Sequence, residues 1–185
     1  MRTIILLAWS VLAATVLVAP VIGAGRIDEP EYVGNIIAFD SSTGRPTQLE
    51  RQTGIKRIDH FLEAVISQHY DYAGASSPIR FSASHPMQFV LRVDSQDTDP
   101  ATIIQFFRLD IDDGVRTLPL IHYNVVGIGD RSGMKAHEIS INARKYGSHS
   151  FIFSASEPLP PGEYVVSTSV PGRTTPEFLF GVDPL

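Results

Sequence analysis

Ser150-Phe151-Ile152-Phe153-Ser154, then Pro158-Leu159-Pro160-Pro161-Gly162-Glu163, then Tyr164-Val165-Val166-Ser167-Thr168 is the stretch that decides the fold. Phe151 and Phe153 alternate with Ser150 and Ser154, the two-residue period of a strand. The prolines end it, because proline fixes φ and has no backbone N–H to give a ladder. Pro161-Gly162 suits the two central positions of a type II turn. Tyr164, Val166 and Thr168 then resume the alternation. The Tyr164 ring enters the strand with a hydroxyl available to a nearby loop backbone, the logic of the tyrosine corner in sandwich domains. Pro161, Gly162 and Tyr164 are therefore expected to form a structural turn and corner.

The same grammar extends in both directions. Phe178, Phe180 and Val182 predict a last strand, and Ile139, Ile141 and Ala143 alternate with Ser140, Asn142 and Arg144. Met87, Phe89, Leu91 and Val93 predict a half-buried strand. Ile103 to Ile111 is apolar on both faces, as a central strand would be, and Asp112-Asp113-Gly114 comes next as a tight turn favouring positive φ. Tyr32 to Phe39 is β-branched and aromatic, with turn residues Asp40 to Pro46 behind it and Thr47 to Gln52 as a returning arm. Asp59 to Tyr70 fits a helix or a strand, and its all-β surroundings lean toward strand. The expectation is an all-β chain forming a single immunoglobulin-like antiparallel β-sandwich.

Ahead of these strands, Met1-Arg2-Thr3 carries one positive charge, Ile4 to Val18 is apolar, and Ala19-Pro20-Val21-Ile22-Gly23-Ala24 closes with small residues. That order is the one found in a secretory signal peptide. Residues 1–24 are read as a leader cleaved between Ala24 and Gly25, with an uncleaved anchor as the alternative. The expected location is periplasmic or secreted, with no membrane span in the mature chain.

The mature domain, residues 25–185, has 14 basic and 20 acidic residues, a net charge of −6. That balance argues against nucleic acid and polybasic membrane contacts as partners. There is no cysteine, which excludes thiol chemistry, cysteine-held metal and a lipoprotein anchor. A domain of this length buries a sufficient core without disulfides. The sole tryptophan, Trp9, lies in the leader.

Catalytic motifs fail one by one. Asp110-Ile111-Asp112-Asp113-Gly114 puts glycine at the fifth position, where a calcium loop needs a ligand. His60, His69, His85, His122, His137 and His149 show no short metal spacing and are read as scattered surface histidines. Gly127 to Gly133 is spaced wrongly for dinucleotide or phosphate loops and is read as a surface loop, with Val125 to Lys135 a possible ligand-binding position. Gly74-Ala75-Ser76-Ser77-Pro78 lacks the final glycine of a nucleophile elbow. Asp94, Asp97, Asp99 and Asp110 could converge only through the fold, and a strand would split Tyr70-Asp71-Tyr72 between its faces. No catalytic, cofactor-binding or metal residue is assigned.

Several segments together carry a resemblance. Val33-Gly34-Asn35-Ile36-Ile37-Ala38-Phe39-Asp40, Phe89-Val90-Leu91-Arg92-Val93, Leu159-Pro160-Pro161-Gly162-Glu163-Tyr164 and Phe178-Leu179-Phe180-Gly181-Val182-Asp183 resemble a group of uncharacterised exported bacterial β-sandwich proteins with a C-terminal "PGEY…FGVD"-like strand pair. The resemblance implies export and a sandwich, and no activity or cofactor. The functional expectation is an exported non-catalytic module for protein interaction or envelope structure, with an envelope or extracellular protein as partner. The alternative is an exported hydrolase or carbohydrate-active enzyme whose carboxylate or His/Asp site is assembled by the fold.

Overall fold

The computed structural model describes residues 27–40, 44–61, 64–123, 129–130, 132–169 and 176–184. In chain order the elements are β1 (Ile36–Asp40), β2 (Arg45–Gln48), β3 (Glu50–Gln52), β4 (Ile55–Phe61), β5 (Ala64–Tyr72), β6 (Arg80–Ser82) and β7 (Met87–Arg92). The short helix α1 (Pro100–Ile103) then leads into β8 (Ile104–Asp112), β9 (Val115–Tyr123) and β10 (Gly129–Asp130). A second short helix, α2 (Ser132–His137), precedes β11 (Ile141–Tyr146), β12 (Ser150–Ala155), β13 (Gly162–Thr168) and β14 (Glu177–Asp183). The chain is all-β, and its strands form two packed sheets.

One sheet has five strands in the order β11-β12-β7-β1-β2. The other runs β3-β14-β13-β8-β9-β5-β4, with β10 beside β9 and β6 parallel to β14. Aromatic rings fill the space between the sheets. Phe89 stacks on Phe153 at 5.2 Å, and Phe180 lies 5.3 Å from Phe89 and 5.5 Å from Tyr164. Such rings remove large apolar areas from water and add edge and stacking contacts.

The larger sheet rolls back on itself. β3 and β4 are its two ends in strand order, yet only residues 53–54 separate them in sequence. Tyr72, Phe107, Leu109, Leu118, Val165 and Leu179 fill the inside of the roll as a second core. β9 stays on β8 only from Asp110 to Asp112, then parts from it. α2 sits beside β9 in that gap, and the next residues bind β8, through a Phe107–Glu138 bridge and an Ile139 N–H to Phe106 carbonyl bond of 2.8 Å.

Several expected boundaries move, each for a local reason. Strand β1 begins at Ile36 rather than Tyr32, because Gly34 adopts φ +82° and Asn35 N–H bonds back to the Tyr32 carbonyl. The returning arm serves two sheets: Arg45 to Gln48 pairs with β1, buried Leu49 crosses the core, and Glu50 to Gln52 pairs with β14. Strand β7 keeps its alternation at Gln88 and Arg92, which stay half-buried, but Val90 on the same outer side is buried, since Ile27 packs there with Ile37, Phe39 and Ile152. Of Asp59 to Tyr70, the described residues are strand: 59–61 end β4 and 64–70 belong to β5, with residues 62–63 outside the described residues. The Asp113-Gly114 turn has φ of +46° and +77°, the left-handed pair a two-residue hairpin needs.

Candidate functional site

Tyr164 is fully buried, and its hydroxyl donates to the Pro160 carbonyl four residues upstream at 2.5 Å. Gly162 is already the first residue of β13 with φ 158°, far from the value a type II turn requires, so Pro161-Gly162 bends the chain without that turn. Arg108 holds the bend by donating to the Pro161 carbonyl at 3.1 Å. The cleavage positions Ala24 and Gly25 lie outside the described residues, as do residues 125–128 and 131 of the expected Val125 to Lys135 loop. The rest of it is not loop, because Gly129–Asp130 pairs with β9 and residues 132–135 open α2.

The segment from Ile27 to Glu29 is clamped to the domain. Ile27 is buried, and its carbonyl accepts from the Tyr146 hydroxyl at 2.7 Å. The Glu29 carboxylate accepts from Ser148 N–H at 2.8 Å, His149 N–H at 2.9 Å and Ser150 Oγ at 2.7 Å, with Arg92 at 3.5 Å. Burial pushes this carboxyl up, but the three hydrogen bonds and the Arg92 charge outweigh it and hold it at about 2. Gly147, at φ +55°, is what lets Glu29 approach: a Cβ there would overlap Glu29 Oε1.

Inside the roll sits a fully buried cation. Arg116 grips Glu50 with two bonds of 2.7 and 3.0 Å and donates to the Ala73 and Gly74 carbonyls at 2.7 and 3.1 Å. Glu163 lies 3.8 Å away, accepts from Ser77 N–H at 2.8 Å and pairs with Arg80 at 2.6 Å. Burial raises the Glu50 carboxyl, and its bonds to Arg116, Ser77 and Gln52 bring it below its ordinary value. This is an internal lock joining β3, β9, β13 and the 73–77 loop. Burial raises the Tyr72 hydroxyl, beside the Glu177 charge, so it stays protonated.

Two histidines are not scattered on the surface. His69 is buried under Arg57, which bonds to its Nε2. Arg57 also pairs with Asp112 at 2.9 Å, Asp71 at 3.2 Å and Asp59 at 3.6 Å, on the outside of the roll. His137 Nε2 lies 3.0 Å from Asp110 Oδ2 in an open groove of about 630 Å³, whose lining includes Arg108, Ile139 and Tyr164.

A second His/Asp pair, His69 with Asp59 at 3.6 Å, has the Ser67 hydroxyl bonded to the aspartate at 2.9 Å and its imidazole Nε2 taken by Arg57. The His137–Asp110 pair faces the groove and lacks a nucleophile. His137 Nδ1 faces the Gly133 carbonyl at 2.7 Å, so both ring nitrogens meet acceptors and neither meets a hydroxyl. Asp110 does not join Asp97 and Asp99. Asp97 accepts from Ser95 Oγ and Asp99 caps α1 at the start of β8, whereas Asp110 lies six residues beyond Ile104, roughly 20 Å along the strand. Tyr72 points into the roll, while Asp71 bonds Thr117 and Arg57 outside it. Among the described residues no three acids or histidines group so as to hold a metal ion, and no helix is long and apolar enough to cross a membrane.

Sequence reasoning missed Glu29, Arg57 and Arg116. Arg116 had a signal, since it shares parity with Leu118 and Leu120 and so occupies an apolar face of β9. Glu29 had none, because two of its donors are backbone N–H groups. No protein-family model, curated protein or solved structure matches the chain.

Proposed function

We propose that the protein is an exported, immunoglobulin-like β-sandwich module that acts by protein interaction rather than catalysis, docking through β4. The observation that carries this is the free edge of β4. It is seven residues long, pairs only with β5 among the described residues, and exposes Ile55 (73 %) and Ile58 (42 %). An unpaired strand edge with apolar side chains is a template for another strand.

The other edges are protected. β2 is four residues long and contains Pro46, and β3 has three residues. β11 carries Arg144 and Lys145 without an acid. The polar clusters support the same reading, because Arg116, Glu163 and Glu29 are engaged within the fold and His137 faces no nucleophile.

The test is affinity capture from a fractionated envelope by the exported, purified protein, beside a hydrolase substrate panel. A partner lost with Ile55→Lys and kept with His137→Ala supports the proposal. Turnover abolished by His137→Ala, with no captured partner, overturns it in favour of the hydrolase.

A further inference from the structure

Resting on the interaction reading, we propose that the partner of β4 is β4 of a second copy of this chain, paired antiparallel about a two-fold axis at Ile58. An antiparallel pair across a sheet edge has its two-fold axis perpendicular to the sheet, so each side chain stays on its own face and opposes one of equal parity. Three registers then centre on the middle of β4. Centring on Arg57 sets guanidinium against guanidinium, and centring on Asp59 sets carboxylate against carboxylate. Centring on Ile58 sets Ile58 against Ile58 of the second copy and Arg57 against Asp59 of the second copy, twice by symmetry. Charge therefore selects one register of the three.

The structure keeps that edge ready to pair. The irregularity between β4 and β5 falls where Asp59 faces Ser67 and His60 faces Val65, so the extra residue, Ile66, belongs to β5. The outer edge of β4 stays regular. Arg57 and Asp59 are each more than a third exposed on the face they share, so a facing strand would add its opposite charges to the contacts they already make with Asp71, Asp112 and Ser67. Self-pairing of β11 would instead gather Arg144 and Lys145 of both copies with no acid to oppose them.

One pair of seven-residue strands is a small interface, which places the dimer at the weak end of specific association. The absence of cysteine supplies a trap, because an Ile58→Cys protein can form a disulfide only with a second copy. Directly opposed residues have Cα atoms about 4.5–5.5 Å apart, within disulfide reach. Ile55→Cys would face residue 61, leaving the two thiols roughly 20 Å apart along the strands.

The experiment uses the protein purified after export, with melting curves confirming that each variant is folded. Under oxidised glutathione Ile58→Cys is expected to give a covalent dimer and Ile55→Cys none. In sedimentation across a concentration series, Ile58→Lys and Ile58→Glu each lose the dimer, and mixing the two restores it. Equal cross-linking at positions 55 and 58, a monomeric wild-type chain at every concentration, or a dimer indifferent to charge at 58 overturns the proposal. A monomeric wild-type chain that captures another protein through β4 refutes the second copy and leaves the interaction reading standing.

Discussion

Glu29→Gln should cost about 2 kcal/mol of stability at pH 7, and the cost should fade in acid. The side chain keeps its shape but loses the charge that three donors and Arg92 address. Lowering a carboxyl from 4.5 to about 2 corresponds to roughly 3 kcal/mol at about 1.4 kcal/mol per pH unit. Solvent at the edge of the segment reduces this to about 2 kcal/mol. Because the folded value is depressed, the contribution is complete above pH 4.5 and is lost as pH falls toward 2. Urea unfolding at pH 7 and pH 3 measures it, with the wild-type advantage over Glu29→Gln at pH 3 expected below half its neutral value. Gly147→Ala supplies the second leg. It meets strain at φ +55° and a collision with Glu29, so it should cost about 3 kcal/mol in the wild type and only about 1 in a Glu29→Ala background. Equal costs in both backgrounds, or a Glu29→Gln penalty unchanged between the two pH values, would refute the carboxylate as the clamp.

The buried groups give two further expected outcomes. Arg116→Met leaves Glu50 and Glu163 without their buried cation and should cost about 3–5 kcal/mol by urea unfolding. Burial would then hold Glu50 above its ordinary value, so this variant should gain stability as pH falls from 6 to 4, where the wild type does not. Tyr164→Phe should lose about 1 kcal/mol with its bond to Pro160, and Tyr164→Ala about 3–5 kcal/mol with the ring stacked on Phe180. An unchanged melting temperature for Tyr164→Ala would refute the corner.

Strands with two-residue periodicity were legible because the face turned to the core between the sheets carries aromatic and β-branched side chains. Phe151 with Phe153 and Tyr164 with Val166 are such traces, and all four lie in strands, although Ile152 and Val165 on the opposite faces are buried too. β8 was legible as a central strand because both of its faces are apolar, and it lies between β13 and β9. The change of sheet at Leu49 was not legible, because one residue separates two strands that share no register. Nor was the burial of Val90 on the outer face of β7. Val90 read as one more apolar residue until Ile27, 63 positions earlier, was seen packed with it.

The polar residues explain why function was the least legible layer. A sequence shows which side chains could do chemistry, but only packing shows which are already engaged. Arg116, placed among apolar neighbours of equal parity, has the profile of a functional buried cation, yet Glu50 and two carbonyls take four of its five N–H groups and Glu163 lies 3.8 Å away. Asp110 and His137 meet as a hydrolase pair would, yet the second imidazole nitrogen is held by the Gly133 carbonyl. Ile55 and Ile58 show the opposite case. In sequence they are ordinary strand residues, and only the strand order, which puts β4 at an end with β5 on one side and no strand on the other among the described residues, turns them into unmatched surface. Engagement removes the candidates for chemistry and exposure supplies the candidate for binding, so the discriminating experiments belong at β4.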